Sequence, residues 1–211
     1  MEWIFFAGFM CLILVVGVFA IRWAIAKQKA FIAAFANDPE YMAVPRGNMM
    51  WPTIRTRSAS PTAEADLESI DWEENNIAKK ILVWRARVPA MGLARRVTFR
   101  LDRFGVAQGV DQSSGAAGGF PYGGFPSGDP RFDLLYKLQG TAAPLAGALV
   151  TAPAVRQALD IMHSVRSVEL KADDTLFVEV SATATEPADV KHALGLVRTL
   201  AEAMQRTAAT L

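Results

Sequence analysis

An uncharged apolar run near the N-terminus limits what this chain can become more than any other feature. The run is Trp3 to Ile21, WIFFAGFMCLILVVGVFAI. As a helix, these residues reach about 28 Å, which is close to the hydrocarbon thickness of a bilayer. Trp3 and Trp23 bracket the run, and indole rings favour the two water interfaces of a membrane. We therefore expect a membrane-spanning helix that contacts the lipid bilayer through residues 3–23.

The charges that flank this run predict its orientation. Only Glu2 precedes it, and three cations follow it, at Arg22, Lys27 and Lys29. By the positive-inside rule the N-terminus lies outside and the rest of the chain lies in the cytoplasm. Val18 and Ala20 satisfy the small-residue rule of a signal peptidase, but a signal peptide carries positive charge before its apolar core. The prediction is an uncleaved signal anchor of a single-pass protein in the bacterial inner membrane.

The pattern after the apolar run predicts how the chain is divided. Helical spacing continues with Phe31 and Phe35, which share one face, until the sequence NDP ends the helix. Prolines and small polar residues then break every period until about residue 62, which is typical of a tether. The expected parts are a transmembrane and juxtamembrane helix over 1–36, a linker over 37–62, and a cytoplasmic domain over 63–211.

Periodicity within 63–211 predicts one α+β domain. Apolar and polar residues alternate around Trp84 and around Phe99, as in half-buried strands, and a short helix is predicted to begin at Ser60 and Pro61. The further elements expected in chain order are strands at 82–88, 96–102 and 132–138, helices at 144–149 and 153–163, a hairpin over 168–180, and a helix that begins at Pro187. The order ββ, β, αα, ββ, α predicts a largely antiparallel sheet.

The net charge of +1 gives no overall attraction to nucleic acid, but cations are concentrated between residues 79 and 103. Strand alternation places four of them opposite Trp84 and Phe99, on a flat basic hairpin face. These four are Arg85, Arg87, Arg96 and Arg100. The face is a candidate contact for the anionic inner leaflet, where each basic residue contributes about 1 kcal/mol.

Two other interpretations of this basic face remain open. Six acids precede it and would neutralise it within the chain, at Glu64, Asp66, Glu68, Asp71, Glu73 and Glu74. The face would also suit an acidic protein or nucleic acid. Base recognition, however, uses exposed aromatic rings, and Trp84 and Phe99 are predicted to point inward, so no nucleic-acid partner is expected.

The residues suited to chemistry are few, and no nucleophile, base and orienting group occur together. Cys11 is the one cysteine, and neither His163 nor His192 has another metal ligand at suitable spacing. We therefore assign no catalytic residue, cofactor or metal. One alternative is a metal-dependent hydrolase with carboxylates near the glycine-rich stretch, since Asp129 and Asp133 would hold a hard cation together with Asp111. Turn formation explains the sequence GDPRFD equally well.

The glycine-rich stretch over 110–127, with its repeated GGFPYGGFP, connects the second and third predicted strands. A phosphate-binding loop would open a helix, but here an aspartate, a proline and a predicted strand follow. We expect a flexible loop inside the domain. Long loops of this kind are often functional, so its aromatic residues are candidates for docking on a partner or on the membrane surface. They are Phe120, Tyr122 and Phe125.

Two short motifs carry a resemblance to a bacterial family of membrane-anchored domains of unknown function. In that family a Gly-Asp-Pro-x-Phe-Asp segment starts a strand, and a Leu-Leu-Thr-Pro segment starts a helix some fifteen to twenty residues later. The first motif matches Gly128–Asp133, and the second resembles Leu149–Pro153, where Ala152 is an additional residue. The resemblance covers about 79–206. It implies an α+β domain and carries no catalytic residue across.

Taken together, these patterns predict a membrane-anchored domain that acts without catalysis, as an interaction or scaffold module. The expected partner is an unidentified membrane or cytoplasmic protein. Anionic-lipid sensing by the basic face and metal-dependent hydrolysis are the two alternatives.

Overall fold

The chain folds as a long N-terminal helix followed by an eight-stranded antiparallel sheet and several shorter helices. The computed structural model describes residues 2–47, 50–58, 60–74, 77–103, 124–160, 165–182 and 186–211. The α+β class and the largely antiparallel sheet predicted from the sequence are confirmed.

Helix α1 spans Glu2–Ala34 without interruption. Between residues 9 and 25 its large apolar side chains, such as those of Phe19 and Ile21, are exposed rather than packed on the domain. The part of α1 over Phe9–Ala34 is long and apolar enough to cross a membrane. This agrees with the span expected from the uncharged run, and α1 extends some thirteen residues beyond that run at its C-terminal end.

The sheet has the strand order β1-β2-β3-β4-β8-β7-β5-β6, and every neighbouring pair is antiparallel. The strands are β1 Tyr41–Val44, β2 Thr53–Thr56, β3 Glu64–Glu74, β4 Ile77–Pro89, β5 Phe99–Arg103, β6 Tyr136–Gly140, β7 Val165–Leu170 and β8 Thr175–Ser181.

Three of the four remaining α-helices in the described part of the chain begin where the sequence predicted them, because a proline in the first helical turn has no backbone N–H to leave unpaired. They are α3 Ala143–Thr151, α4 Pro153–Asp160 and α5 Pro187–Ala208. The predicted end of α4, at 161–163, lies outside the described residues. The hairpin predicted over 168–180 is confirmed as β7 and β8.

The third predicted strand begins later than expected. Helix α2 occupies Pro130–Asp133, and β6 starts only at Tyr136. Asp129 causes the difference, because its carboxylate accepts hydrogen bonds from the backbone N–H groups of Arg131 and Phe132. This N-cap stabilises one helical turn in the sequence that we had assigned to a strand.

The structure also corrects the region before β4. The helix predicted from Ser60 is wrong, since β3 occupies this segment and pairs with β4 along its whole length. Strands β1 and β2 lie within the segment predicted as a linker and extend the same sheet, so this part of the chain is not a tether. Both errors arise because cross-strand pairing, which is not local in sequence, decides the structure of these segments.

The two faces of the sheet differ in character. The inner face carries the apolar side chains, such as Trp84, Ala86 and Val88 of β4, and these form one buried cluster with apolar residues of α1, α3, α4 and α5. The outer face carries charged side chains at the alternate positions, including Arg85 and Arg87. Side-chain alternation along each strand produces this division.

Candidate functional site

The C-terminal end of α1 is built into the core of the domain. Phe31 and Phe35 are only 3% and 1% exposed. The ring of Phe31 stacks on Trp84 at a centroid distance of 5.7 Å and meets Trp51 edge-on at 5.1 Å. Trp84 lies on β4 in the middle of the sheet, whereas Trp51 lies two residues before β2. The same helix that is apolar enough to cross a membrane is thus fixed to the sheet by aromatic packing.

Polar contacts hold the chain where α1 ends. The Arg57 guanidinium donates hydrogen bonds to the carbonyl oxygens of Asp38 and Tyr41, both at 2.9 Å, and to that of Phe35 at 3.4 Å. A cation at this position satisfies carbonyl groups that a helix C-terminus leaves without intrahelical partners. Nearer the N-terminus of α1, the Gln28 side chain donates to the carbonyl of Met50 at 2.6 Å.

A salt bridge joins this junction to the longest helix of the domain. The Asp38 carboxylate pairs with the ammonium group of Lys191 on α5, and it also accepts the backbone N–H groups of Glu40 and Tyr41. The hydrogen bond from Lys191 is the main reason that the pKa of Asp38 lies below its usual value. The junction between helix and domain is therefore fixed by aromatic packing, backbone capping and one ion pair.

The sequence indicated only half of this junction. The spacing of Phe31 and Phe35 predicts a shared face of a helix, which is correct. The partners Trp51 and Trp84 come from distant parts of the chain, and the pairing of Asp38 with Lys191 joins residues 153 positions apart. The signal that could have been used is the tryptophan in the proline-rich segment, since large aromatic side chains are often buried in cores and interfaces.

The second candidate surface is the outer face of the sheet, where charges of opposite sign lie on adjacent strands. One row across the sheet consists of Arg55, Glu64, Arg87, Phe177, Glu169 and Arg100. The next row consists of Asp66, Arg85, Glu179, Ser167, Asp102 and Lys137. We call these two rows the charged face. Opposite charges on neighbouring strands stabilise the sheet, and like charges would destabilise it.

Two of the predicted basic residues pair with carboxylates on this face. Arg87 donates to Glu64 at 2.7 Å and to Asp66 at 2.8 Å. Arg85 lies 3.3 Å from a Glu68 oxygen and 3.5 Å from one of Glu179. Glu64, Asp66 and Glu68 belong to the acidic run before the basic face, so these pairs agree with the interpretation that the run neutralises the face within the chain.

The other two predicted basic residues do not complete a basic hairpin. Strands β4 and β5 are not neighbours, because β8 and β7 lie between them, so the hairpin itself is a wrong prediction. Arg100 is on the charged face and pairs with Asp102 at 3.0 Å. Arg96 precedes β5, and its guanidinium instead donates to the carbonyl of Ala208, the last residue of α5.

Burial and ion pairing act against each other at Glu64. Burial raises the pKa of this carboxyl group, but hydrogen bonds from Arg87 and Arg55 outweigh it, so that the pKa lies below its usual value. Glu64 is thus ionised at neutral pH and supplies the negative charge between Arg55 and Arg87 in its row. The charged face presents both signs of charge and favours neutralisation within the chain over attraction to an anionic surface.

The carboxylates proposed for a hydrolase have local structural contacts. Asp129 caps α2 and pairs with Arg156, and Asp133 accepts the backbone N–H of Ser127 at 2.9 Å. Backbone hydrogen bonds at the start of α2 are the main reason that the pKa of Asp129 lies below its usual value. Asp111 lies outside the described residues, and within the described ranges no group of three acidic, histidine or cysteine side chains could hold a metal ion.

The glycine-rich stretch is described only from residue 124 onward. Phe125 forms an isolated bridge with Leu138 of β6, with its N–H donating to the Leu138 carbonyl at 2.9 Å, and its ring packs against the core. Phe125 is therefore partly engaged within the domain rather than free to dock. Phe120 and Tyr122, the other two docking candidates, lie outside the described residues.

Comparison with known proteins adds no functional assignment. The chain matches no protein family model, no curated protein and no solved structure. The resemblance carried by Gly128–Asp133 is therefore limited to two short motifs. Of the remaining candidates, Cys11 is exposed on α1, His192 is exposed on α5, and His163 lies outside the described residues.

Proposed function

We propose that this chain is a single-pass protein of the bacterial inner membrane whose cytoplasmic α+β domain is a non-catalytic interaction module. In this proposal α1 is an uncleaved signal anchor with its N-terminus outside. The domain stands at a fixed orientation on the membrane, where it binds a membrane or cytoplasmic protein.

The burial of Phe31 and Phe35 is the observation that carries this proposal. A domain that only needed to stay near the membrane would require no more than a flexible tether. Here the anchor helix enters the core, and Arg57 and Lys191 fix the chain that follows it. This arrangement is suited to a module that presents a defined surface at a defined angle to partners in or near the membrane.

The charged face is the surface that we assign to the partner. The described helices that pack on the sheet join the core on its inner side, and the charged face carries guanidinium and carboxylate groups that are partly exposed. A protein surface with complementary charges matches such alternation better than a uniformly anionic membrane does. The engagement of Asp129 and Asp133 in local contacts also favours an interaction role over hydrolysis.

Lysine-directed crosslinking in native membranes, followed by mass spectrometry, tests the partner. Lys137 belongs to the charged face, Lys171 borders it, and Lys191 lies on α5 on the other side of the sheet. We expect crosslinks to a partner from Lys137 and Lys171 and few from Lys191. Arg100→Glu should weaken them severalfold, and Arg206→Glu at an exposed position of α5 is the matched control. Crosslinks that are unaffected by Arg100→Glu would contradict the assignment.

A reporter fusion tests the orientation separately. Alkaline phosphatase folds into an active enzyme only outside the cytoplasm, so a fusion to the C-terminus should be inactive in a bacterial host. A strongly active fusion would overturn the cytoplasmic placement of the domain but would leave the packing of α1 against the sheet unaffected.

A further inference from the structure

We infer that a second part of the chain, besides α1, lies against the phospholipid headgroups. This part, the hairpin extension, comprises residues 67–74 of β3 and 77–82 of β4. The inference rests on the proposed insertion of α1 into the membrane, and it identifies which edge of the domain faces the bilayer.

The hairpin extension continues beyond the rest of the sheet. The β3–β4 ladder runs from Glu64 opposite Arg87 to Glu74 opposite Ile77. On one side, β2 pairs with β3 only at residues 64 and 65. On the other side, the β4–β8 ladder begins at Val83. Among the described residues, 67–74 and 77–82 therefore pair with each other, apart from one hydrogen bond that the Ala182 N–H, just after β8, donates to the Leu82 carbonyl.

The contacts of α1 determine where this extension points. Taken toward the N-terminus of α1, they are Phe35 with Arg57, Phe31 with Trp51, and Gln28 with Met50. Toward the N-terminus of α1, the residue numbers of its partners decrease from Arg57 to Trp51 to Met50, a segment that includes β2. Helix α1 and strand β2 therefore run in the same direction. Strand β3 is antiparallel to β2 and therefore runs toward the N-terminal, membrane-crossing part of α1.

The length of the extension is sufficient to reach the bilayer. Leu67 lies opposite Trp84, at the level where Phe31 stacks on the sheet. From Leu67 to Glu74 the strand advances about 23 Å at 3.3 Å per residue. From Phe31 back to Ile21, where the uncharged run ends, α1 covers about 15 Å. Even if the hairpin were inclined by about 45° to α1, it would advance about 16 Å and reach the same level.

The composition of the extension fits an interfacial position. It contains Trp72, Lys79 and Lys80, residue types that occur at the boundary between lipid and water, and Leu82 is 45% exposed. The extension also contains four acids against its two lysines, so attraction to anionic lipid is not the driving force; they are Glu68, Asp71, Glu73 and Glu74. The contact follows from the rigid attachment to α1, which places the extension at the headgroup layer whatever the lipid charge.

Site-directed fluorescence quenching in the full-length chain tests this arrangement. The protein is reconstituted in phosphatidylcholine vesicles that contain a lipid with a nitroxide quencher on its headgroup. In a Cys11→Ser background, single cysteines at Ser69→Cys and Lys80→Cys report on the extension. Ala172→Cys is the matched control, because this exposed residue lies in the β7–β8 turn, beside the opposite end of β4. We expect quenching at positions 69 and 80 to be at least threefold stronger than at 172.

The native cysteine separates failure of this inference from failure of the proposed anchor. A fluorophore on Cys11 should be quenched by lipids that carry the nitroxide within the acyl chain. If Cys11 is quenched but positions 69 and 80 respond no more than 172, the membrane contact of the hairpin extension is overturned and the anchor stands. If Cys11 is not quenched either, the insertion of α1 is overturned together with the inference.

Discussion

Replacing Phe31 by alanine should destabilise the α+β domain, although Phe31 belongs to the helix that is long and apolar enough to cross a membrane. The side chain is 3% exposed and contacts three aromatic rings, those of Phe35, Trp51 and Trp84. Truncation leaves a cavity that these rings cannot easily fill, because Trp84 is fixed in the sheet and Phe35 is itself fully buried. The free energy of unfolding should therefore fall.

The expected loss is large for a single substitution. Truncation of a buried phenylalanine to alanine costs about 3–5 kcal/mol, and paired aromatic rings place this site in the upper half of that range, about 4–5 kcal/mol. For a domain of this size, each kcal/mol lowers the melting temperature by about 2–4 °C. We expect a decrease of about 8–20 °C.

Thermal unfolding of the full-length protein in detergent micelles, followed by tryptophan fluorescence, measures this loss. Phe19→Ala is the matched control, since it makes the same change in the same helix at a side chain that is 75% exposed. We expect it to alter the melting temperature of the domain by less than about 2 °C. Phe31→Leu, which leaves a smaller cavity, should give an intermediate value if Phe31→Ala does not fold. Equal melting temperatures for Phe31→Ala and Phe19→Ala would refute the packing of α1 in the domain core.

Three further predictions concern the sheet. Arg87→Ala should cost about 1–3 kcal/mol in urea denaturation, because it leaves carboxylates on the charged face without their partner, whereas Arg95→Ala at an exposed position should cost less than about 0.5 kcal/mol. Burial raises the pKa of Glu64, but hydrogen bonds from arginines lower it by more, so that it lies below the ordinary value of 4.5. The contribution of this carboxylate to the free energy of unfolding should therefore be complete above pH 4.5 and decline as the pH falls below that value. This decline should be shallower in Arg87→Ala; a steeper decline would contradict the pairing. Gly140→Ala should destabilise the domain by about 1–3 kcal/mol more than Gly47→Ala. Both glycines have positive φ, but of the two only Gly140 lies where a Cβ would overlap a backbone carbonyl. Equal losses of stability in the two variants would exclude that overlap.

Local signals in the sequence predicted much of the fold. Prolines at helix starts placed α3, α4 and α5 correctly, because the missing N–H of proline favours the first turn. Period-two alternation placed β4 and the β7–β8 hairpin. Strands β1 and β2 were missed, because nothing in a four-residue segment such as Tyr41–Val44 distinguishes a short strand from a linker before its partner is known. Strand β3 was assigned to a helix, because Leu67 and Ile70 are three residues apart, as on one face of a helix.

Prediction of the candidate surfaces was limited by contacts between distant parts of the chain. Arg85 and Arg87 were placed on the correct face, but their neutralisation by β3 could be confirmed only once that segment was seen to be a strand. Arg96 was misplaced, because its partner is the last residue of α5. The spacing of Phe31 and Phe35 identified a shared face, and only the tertiary structure shows that this face lies in the core.

The most direct test of rigid attachment between anchor and domain is one distance distribution. Spin labels on native Cys11 and on Ala172→Cys, measured by pulsed electron paramagnetic resonance in lipid nanodiscs, report on the segment between them. Because α1 is uninterrupted to Ala34 and Phe31 is packed in the core, we predict a single narrow distribution that broadens when Phe31 and Phe35 are both replaced by alanine. A broad distribution in the protein without these two substitutions would contradict the central claim, since it would mean that the domain moves freely on its anchor.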